Sequence, residues 1–247
     1  MDINVKLDEP LTSDGCVKLV IELLKYILYQ KQQIPFTYDS LTQLQINMKA
    51  TDRNSSSIKA LLKSMKDTSE QLSSQFHLNN CKVKGIAILI GATIMSPKLQ
   101  IRLEFPLDIL NSRQHCEYKH ASRKPLLNLM RSMLECSDFQ DAISSPMSLT
   151  NTFVLIEKSD GNSVSEFFLP KPHYTLPVKN ANCFTFKLHN NNHINMDCNC
   201  IHLVKIYNDL SSESNSKKDS NREFLNNLNE NIENIPYRWY QSKEVVT

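Results

Sequence analysis

Residues 16–33 read CVKLVIELLKYILYQKQQ, and the fold turns on how that stretch is buried. Ten of the thirteen residues from Val17 to Tyr29 are apolar, and the exceptions Lys18, Glu22 and Lys25 recur at spacings of four and three. On a helix those three form one narrow polar stripe, so the segment reads as a helix covered on most of its sides. Thr12, Ser13 and Asp14 offer N-caps, and Pro35 offers a stop after Gln30-Lys31-Gln32-Gln33. The spacing predicts the central helix of a core.

Working outward, residues 47–57 read as a polar loop. A second helix follows, with Ile58, Leu61, Leu62, Met65, Leu72 and Phe76 at helical spacing. The period then changes. Val83 to Ile90 is a continuous apolar run suited to a buried strand, and Leu99, Ile101, Leu103 and Phe105 alternate with Gln100, Arg102 and Glu104. The short link between them predicts an antiparallel pair. A third helix is expected over about 123–141, with Pro125 tolerated in its first turn and Leu126, Leu129, Met130, Met133 and Leu134 as its apolar side. Strands are expected at 153–156, 164–169, 183–188 and 201–207. Between 208 and 234, 13 of 27 residues are Asn or Ser, which reads as a mobile insertion. The tail around Trp239, flanked by Tyr237 and Tyr240, is expected to dock back onto the body or onto a partner. Together these predict an α+β fold: three main helices on a mostly antiparallel sheet, in a single domain over residues 10–247.

Composition narrows the function. The chain has 247 residues and a net charge of +2, which argues against a dedicated nucleic-acid binder. Its 4 glycines are too scattered for a phosphate-cradling loop. Seven cysteines, an odd number, behind an acidic rather than a basic start point to reduced thiols in cytoplasm or nucleus. The longest apolar stretch is too short and too charged to span a bilayer.

Chemistry is sparse. His193, Cys198, Cys200 and His202 are the best metal candidates, but their spacing is not that of a zinc finger, and two thiols at a strand edge is the favoured reading. His115, Cys116, Glu117 and His120 read as a solvated loop. Lys119, Arg123 and Lys124 form a modest basic cluster suited to a solvated flank or to an acidic partner. In Leu169-Pro170-Lys171-Pro172-His173-Tyr174 the prolines bar regular ladder pairing and present Lys171 on a stiff segment. A strand-ending loop and a docking element are equally compatible with it.

Four segments taken together resemble the comet family of Mad-two-binding, checkpoint-silencing adaptors: residues 16–41, VKGIAILIGATIMSPK (83–98), FFLPKPHYTLPV (167–178) and PYRWYQ (236–241). The resemblance implies a HORMA-like fold with a C-terminal safety-belt-like segment, no enzyme activity and no cofactor. It implies recognition of the closed conformer of Mad-two, through Tyr29 and Gln30 and through Leu126, Met130 and Arg131. It also implies delivery to a Pch-two-type AAA+ ATPase engaged by Pro170 and Lys171, and a self-ligand tail of Tyr237, Trp239 and Tyr240. The expected location is nucleus and cytoplasm, and spindle or kinetochore in mitosis. Two other readings stay open: a HORMA-class peptide-binding subunit of repair, meiosis or autophagy, and a cysteine or metal enzyme at 193–202.

Overall fold

The computed structural model describes residues 1–49, 52–78, 81–106, 108–112, 115, 120–160, 165–177, 182–190 and 236–246. The long apolar helix, α1 (Ser13–Gln30), lies at the centre: Leu19, Leu23, Leu24 and Ile27 are wholly buried. Thr12 is its cap, its Oγ1 accepting from the Gly15 amide at 3.1 Å. The helix ends well before Pro35, where Lys31 closes the last turn and Gln32 takes a left-handed φ of 54°. Of the three polar positions, Lys18 is exposed while Glu22 and Lys25 are half-buried and pair at 2.7 Å.

Among the described residues one seven-stranded sheet carries the helices, in the order β1-β6-β3-β2-β4-β7-β5. Its strands are β1 (Asp2–Leu7), β2 (Cys81–Gly91), β3 (Pro97–Glu104), β4 (Asn151–Asp160), β5 (Phe168–Lys171), β6 (Asn182–Asn190) and β7 (Arg238–Ser242). The hairpin β2–β3 is antiparallel as expected, and β6 is parallel to both of its neighbours. Gly85 sits at a bulge of β2, where a Cβ would come within 2.7 Å of the Leu103 carbonyl oxygen, so the close approach of β3 requires glycine.

Helix α3 (Ser55–Phe76) packs over β2 and α1, joined by α2 (Tyr38–Asn47). The expected third helix is two. α4 (Arg123–Glu135) ends where Cys136 turns extended, and α5 (Ser137–Ser144) starts on a new heading. Gln140 Nε2 donates to the Met133 carbonyl at 2.8 Å across the break. The new heading buries Phe139 edge-on against Phe184 and Phe186, with centroids 5.2 Å apart in both pairs. Leu134, one residue past the inward line of Pro125, Leu129 and Met133, is not part of the buried side and stands 67% exposed.

Three other expectations change. β1 lies upstream of residue 10, its alternate residues Val5 and Leu7 buried under the helices. Helix α3 takes in Ser55 to Ser57 from the expected polar loop. Pro170 does pair, opposite Tyr240, because among the described residues β5 is an edge strand and its missing donor interrupts no second neighbour. The proposed strand 201–207 and the segment 208–234 lie outside the described residues.

The sheet is covered on both faces. Helices bury one face. On the other, Ala87, Leu89, Phe153, Leu155 and Trp239 form a smaller cluster against Ile94, Tyr174, Leu176 and Val245. β5 is at one edge and β6 near the other, so the chain leaving β5 crosses this second face, where the Tyr174 hydroxyl donates to the Ile94 carbonyl at 2.8 Å. Burial pushes the Tyr174 phenol up to about 12.

Candidate partner-binding surface

Helix α4 lies at the side of the core beside β1. Pro125, Leu129 and Met133, four residues apart, point inward. Asn128 Nδ2 donates to the Lys6 carbonyl at 3.0 Å, and Lys124 pairs with Glu9, which holds its ammonium protonated above the usual lysine range. The outward side is apolar where a solvated helix would be polar. Leu127 is 52% and Leu134 67% exposed, with half-buried Met130 and exposed Arg131 between them. The spacing i, i+3, i+4, i+7 makes a single stripe. Met and Arg are residue types enriched at interfaces, and no acid interrupts the stripe.

The end of α1 is fixed by two buried polar side chains. Lys31, 2% exposed, donates its Nζ to the carbonyls of Ala142 and, at 2.7 Å, Ser145, the free C-terminal end of α5. Burial pushes its ammonium below the usual lysine range. Gln33 Nε2 donates to the carbonyls of Met147 at 3.1 Å and Ser148 at 3.3 Å, while its Oε1 accepts from the Thr150 amide at 2.9 Å. Tyr29, 44% exposed, and half-buried Gln30 thus sit on a last helical turn that is stitched to residues 142–150.

At the opposite end of the sheet, β7 fills the space between β4 and β5, pairing antiparallel with both. Trp239 and Tyr240 are buried on opposite faces, and Tyr237 is 38% exposed. Pro170 is exposed and Lys171 half-buried on the outer strand, opposite Tyr240 and Trp239.

A sequence model of the family described as "p31comet: Mad1 and Cdc20-bound-Mad2 binding" matches residues 2–190. This chain belongs to the p31comet family. It is similar to the MAD2L1-binding protein of Homo sapiens, 26% identical over 189 residues, which cover 72% of this chain and 66% of the relative. The chain therefore spans slightly under two thirds of that relative. The match begins at residue 2 and so takes in β1, while the terminal tail lies beyond it.

Within this comet-family chain the residues singled out from sequence fall into three places. Leu126, Met130 and Arg131 share α4, with Leu126 and Met130 both half-buried against the edge of the core and Arg131 exposed. Tyr29 and Gln30 end the neighbouring helix α1, which touches α4. Pro170, Lys171 and the tail lie together across β5 and β7. Sequence reasoning missed Leu127 as part of a surface, and it missed Lys31 and Gln33 as the clamp beneath Tyr29 and Gln30. The sequence shows only a polar run at 30–33, and nothing local foretells the α5 carbonyls. Leu127 was legible as the residue completing a second apolar stripe with Leu134.

Enzymatic candidates gain nothing from the geometry. The rings of His115 and His120 meet edge-on at 5.5 Å. Cys116, Glu117 and Lys119, like His193, Cys198, Cys200 and His202, lie outside the described residues. Among the described residues no group of three or more His, Cys, Asp or Glu side chains could hold a metal. The Cys16 thiol is wholly buried, and burial pushes its ionisation far above the usual range. No described helix is long and apolar enough to cross a membrane.

Proposed function

We propose that this chain is a non-enzymatic adaptor that binds the closed conformer of Mad2 and presents it to a Pch2-type AAA+ ATPase. In doing so it promotes disassembly of checkpoint complexes and silencing of the spindle assembly checkpoint. The observation that carries the reading is the apolar stripe Leu127, Met130, Arg131 and Leu134 on α4, set in a chain of the p31comet family. Met130 acts as the adaptable central knob, and the Gln30 amide, able both to donate and to accept, fixes register at the end of α1. Binding by differential affinity for one conformer makes the adaptor a reader of that conformer's population.

The fold proposed is HORMA-like. The chain that leaves β5 and crosses the second sheet face acts as a safety belt, and β7 as an internal ligand held beneath it; the insertion of β7 between two strands that do not pair with each other supports this. Pro170 and Lys171, on the exposed outer strand, are the ATPase-docking residues. The protein acts in nucleus and cytoplasm, and at spindle or kinetochore in mitosis. The test is a pull-down with purified Mad2 locked in its closed form. Capture by the wild-type chain and not by Met130→Asp supports the reading, and equal capture by both defeats it.

A further inference from the structure

Lys31 follows the last turn of α1 with its side chain enclosed, and among the described residues the partners of its ammonium are carbonyl oxygens rather than a carboxylate. Those carbonyls, of Ala142 and Ser145, lie at the end of α5, a helix with no basic residue in its own last turn. The cation thus caps a different helix from the one that carries it, at the end where the helix dipole is negative. Two residues on, Gln33 spends its whole amide on the same region. Its Nε2 donates to the carbonyls of Lys31, Met147 and Ser148, and its Oε1 accepts from the Thr150 amide. The Met147 amide donates back to the Lys31 carbonyl at 3.4 Å. Residues 31–33 and 142–150 are stitched into one unit, although the bonded pairs stand 111 to 117 residues apart in the chain. An apolar side chain would fill the place of Lys31 at lower desolvation cost. What the ammonium adds is direction, because it fixes the bearing of one helix end against another.

The same unit holds strain and presents apolar surface. Gln32, between the two clamping residues, has a φ of 54°, a left-handed conformation that a side chain adopts only at a cost. Such a conformation persists where the surroundings over-determine it, and these places gather at functional surfaces. Leu149, at 80%, is the most exposed large apolar side chain among the described residues. It lies between Ser148 and Thr150, both of which Gln33 holds. Tyr29, 44% exposed, and Gln30 directly precede Lys31. An exposed leucine on a backbone pinned at both sides loses little conformational freedom when a partner covers it.

We propose that Lys31 and Gln33 are positioning residues for Mad2 binding: they lock the last turn of α1 and residues 145–150 into one preset surface on which Tyr29, Gln30 and Leu149 meet the partner together. This rests on the adaptor reading and on Tyr29 and Gln30 as a contact within it. It adds Leu149 to that contact and makes the buried clamp the reason the contact is ready before the partner arrives.

The experiment titrates closed Mad2 into the full chain and its variants by calorimetry, with thermal melts alongside. Leu149→Ser, at a solvated position, should melt as wild type does and bind about fivefold or more weakly. Gln30→Ala and Lys31→Met should each weaken binding about tenfold, the second because a side chain of similar length without donors leaves the α5 carbonyls unheld. Amide hydrogen exchange should then quicken at Met147 and Thr150 in Lys31→Met while the α1 core stays protected. The deciding readout is a pair of double-mutant cycles. Lys31→Met with Gln30→Ala should bind no more than about threefold more weakly than the weaker single variant, because Lys31 acts through that turn. Lys31→Met with Leu134→Asp should multiply the two losses, since the α4 stripe is a separate part of the surface. A residue that merely supports the fold would not couple to one contact and leave the other independent. The proposal is overturned if Leu149→Ser or folded Lys31→Met binds within about threefold of wild type, or if the Gln30 cycle multiplies as the Leu134 cycle does. Should Lys31→Met fail to fold, Leu149→Ser decides: weakened binding supports the proposal and unchanged affinity overturns it. Wild-type binding with unaffected variants defeats this proposal alone, whereas no binding by the wild-type chain defeats the adaptor reading.

Discussion

Replacing Met130 by aspartate should separate folding from partner binding. Met130 is half-buried at the margin of the core, between inward Leu129 and Met133 and outward Leu127 and Leu134. In the free protein an aspartate there can turn its carboxylate to water, so the folding cost is about 1 kcal/mol. At the centre of a closed interface the same carboxylate loses its water. No cation sits at i±3 or i±4 on this helix to meet it, those places being held by Leu126, Leu127, Met133 and Leu134. An unpaired charge in a desolvated centre costs about 2–4 kcal/mol, or roughly 30- to 1000-fold in Kd. Leu134→Asp is the companion: at 67% exposure it should leave stability within about 0.5 kcal/mol yet still weaken binding about tenfold. Thermal melts give the folding term, and calorimetric titration with closed Mad2 gives the binding term. If both variants keep Kd within about threefold of wild type while remaining folded, the α4 stripe is not the contact and the reasoning fails.

Further outcomes are expected. Pro170→Ala combined with Lys171→Ala should leave Mad2 affinity intact but abolish ATPase-driven Mad2 opening in a reconstituted reaction; opening at the normal rate would count against the docking role. Cys16, wholly buried, should resist alkylation in the native protein and label only at the rate of global unfolding, as mass spectrometry of the labelled peptides would show. Tyr174 titrates near 12 when folded and near 10 when unfolded, so its neutral form is the one the fold favours. Its stabilising contribution is complete below pH 10 and declines as pH rises toward 12. The Tm difference between wild type and Tyr174→Phe should shrink over that window, and a constant difference would contradict the burial of the phenol.

The parts of this fold that could be read from sequence are those whose partners lie close in the chain or whose pattern leaves one choice. The all-round apolar surface of α1 permits only a central position, and the alternation of β3 beside the apolar run of β2 permits only a hairpin. The tail was legible because an aromatic cluster at a chain end is costly to leave in water. What escaped depends on distant partners. β1 pairs with β6, which follows it by about 180 residues, so no local signal announces it. α2 buries only Leu41 and therefore shows no stripe. The break at Cys136 was visible in principle, since Phe139 falls out of phase with Leu129 and Met133. Its cause, the aromatic seat offered by Phe184 and Phe186, lies far along the chain. For the site, Met130 and Arg131 were reached through family resemblance, while the stripe that Leu127 completes with Leu134 was written in the helical spacing of α4 itself.

The most direct test of the central claim is the affinity of the purified chain for Mad2 held in each of its two conformers, measured side by side. Saturable one-to-one binding to the closed conformer is expected, with binding at least about a hundredfold weaker to the open one, the discrimination needed to report a conformational population. Equal affinity for both conformers, or none for either, would contradict it.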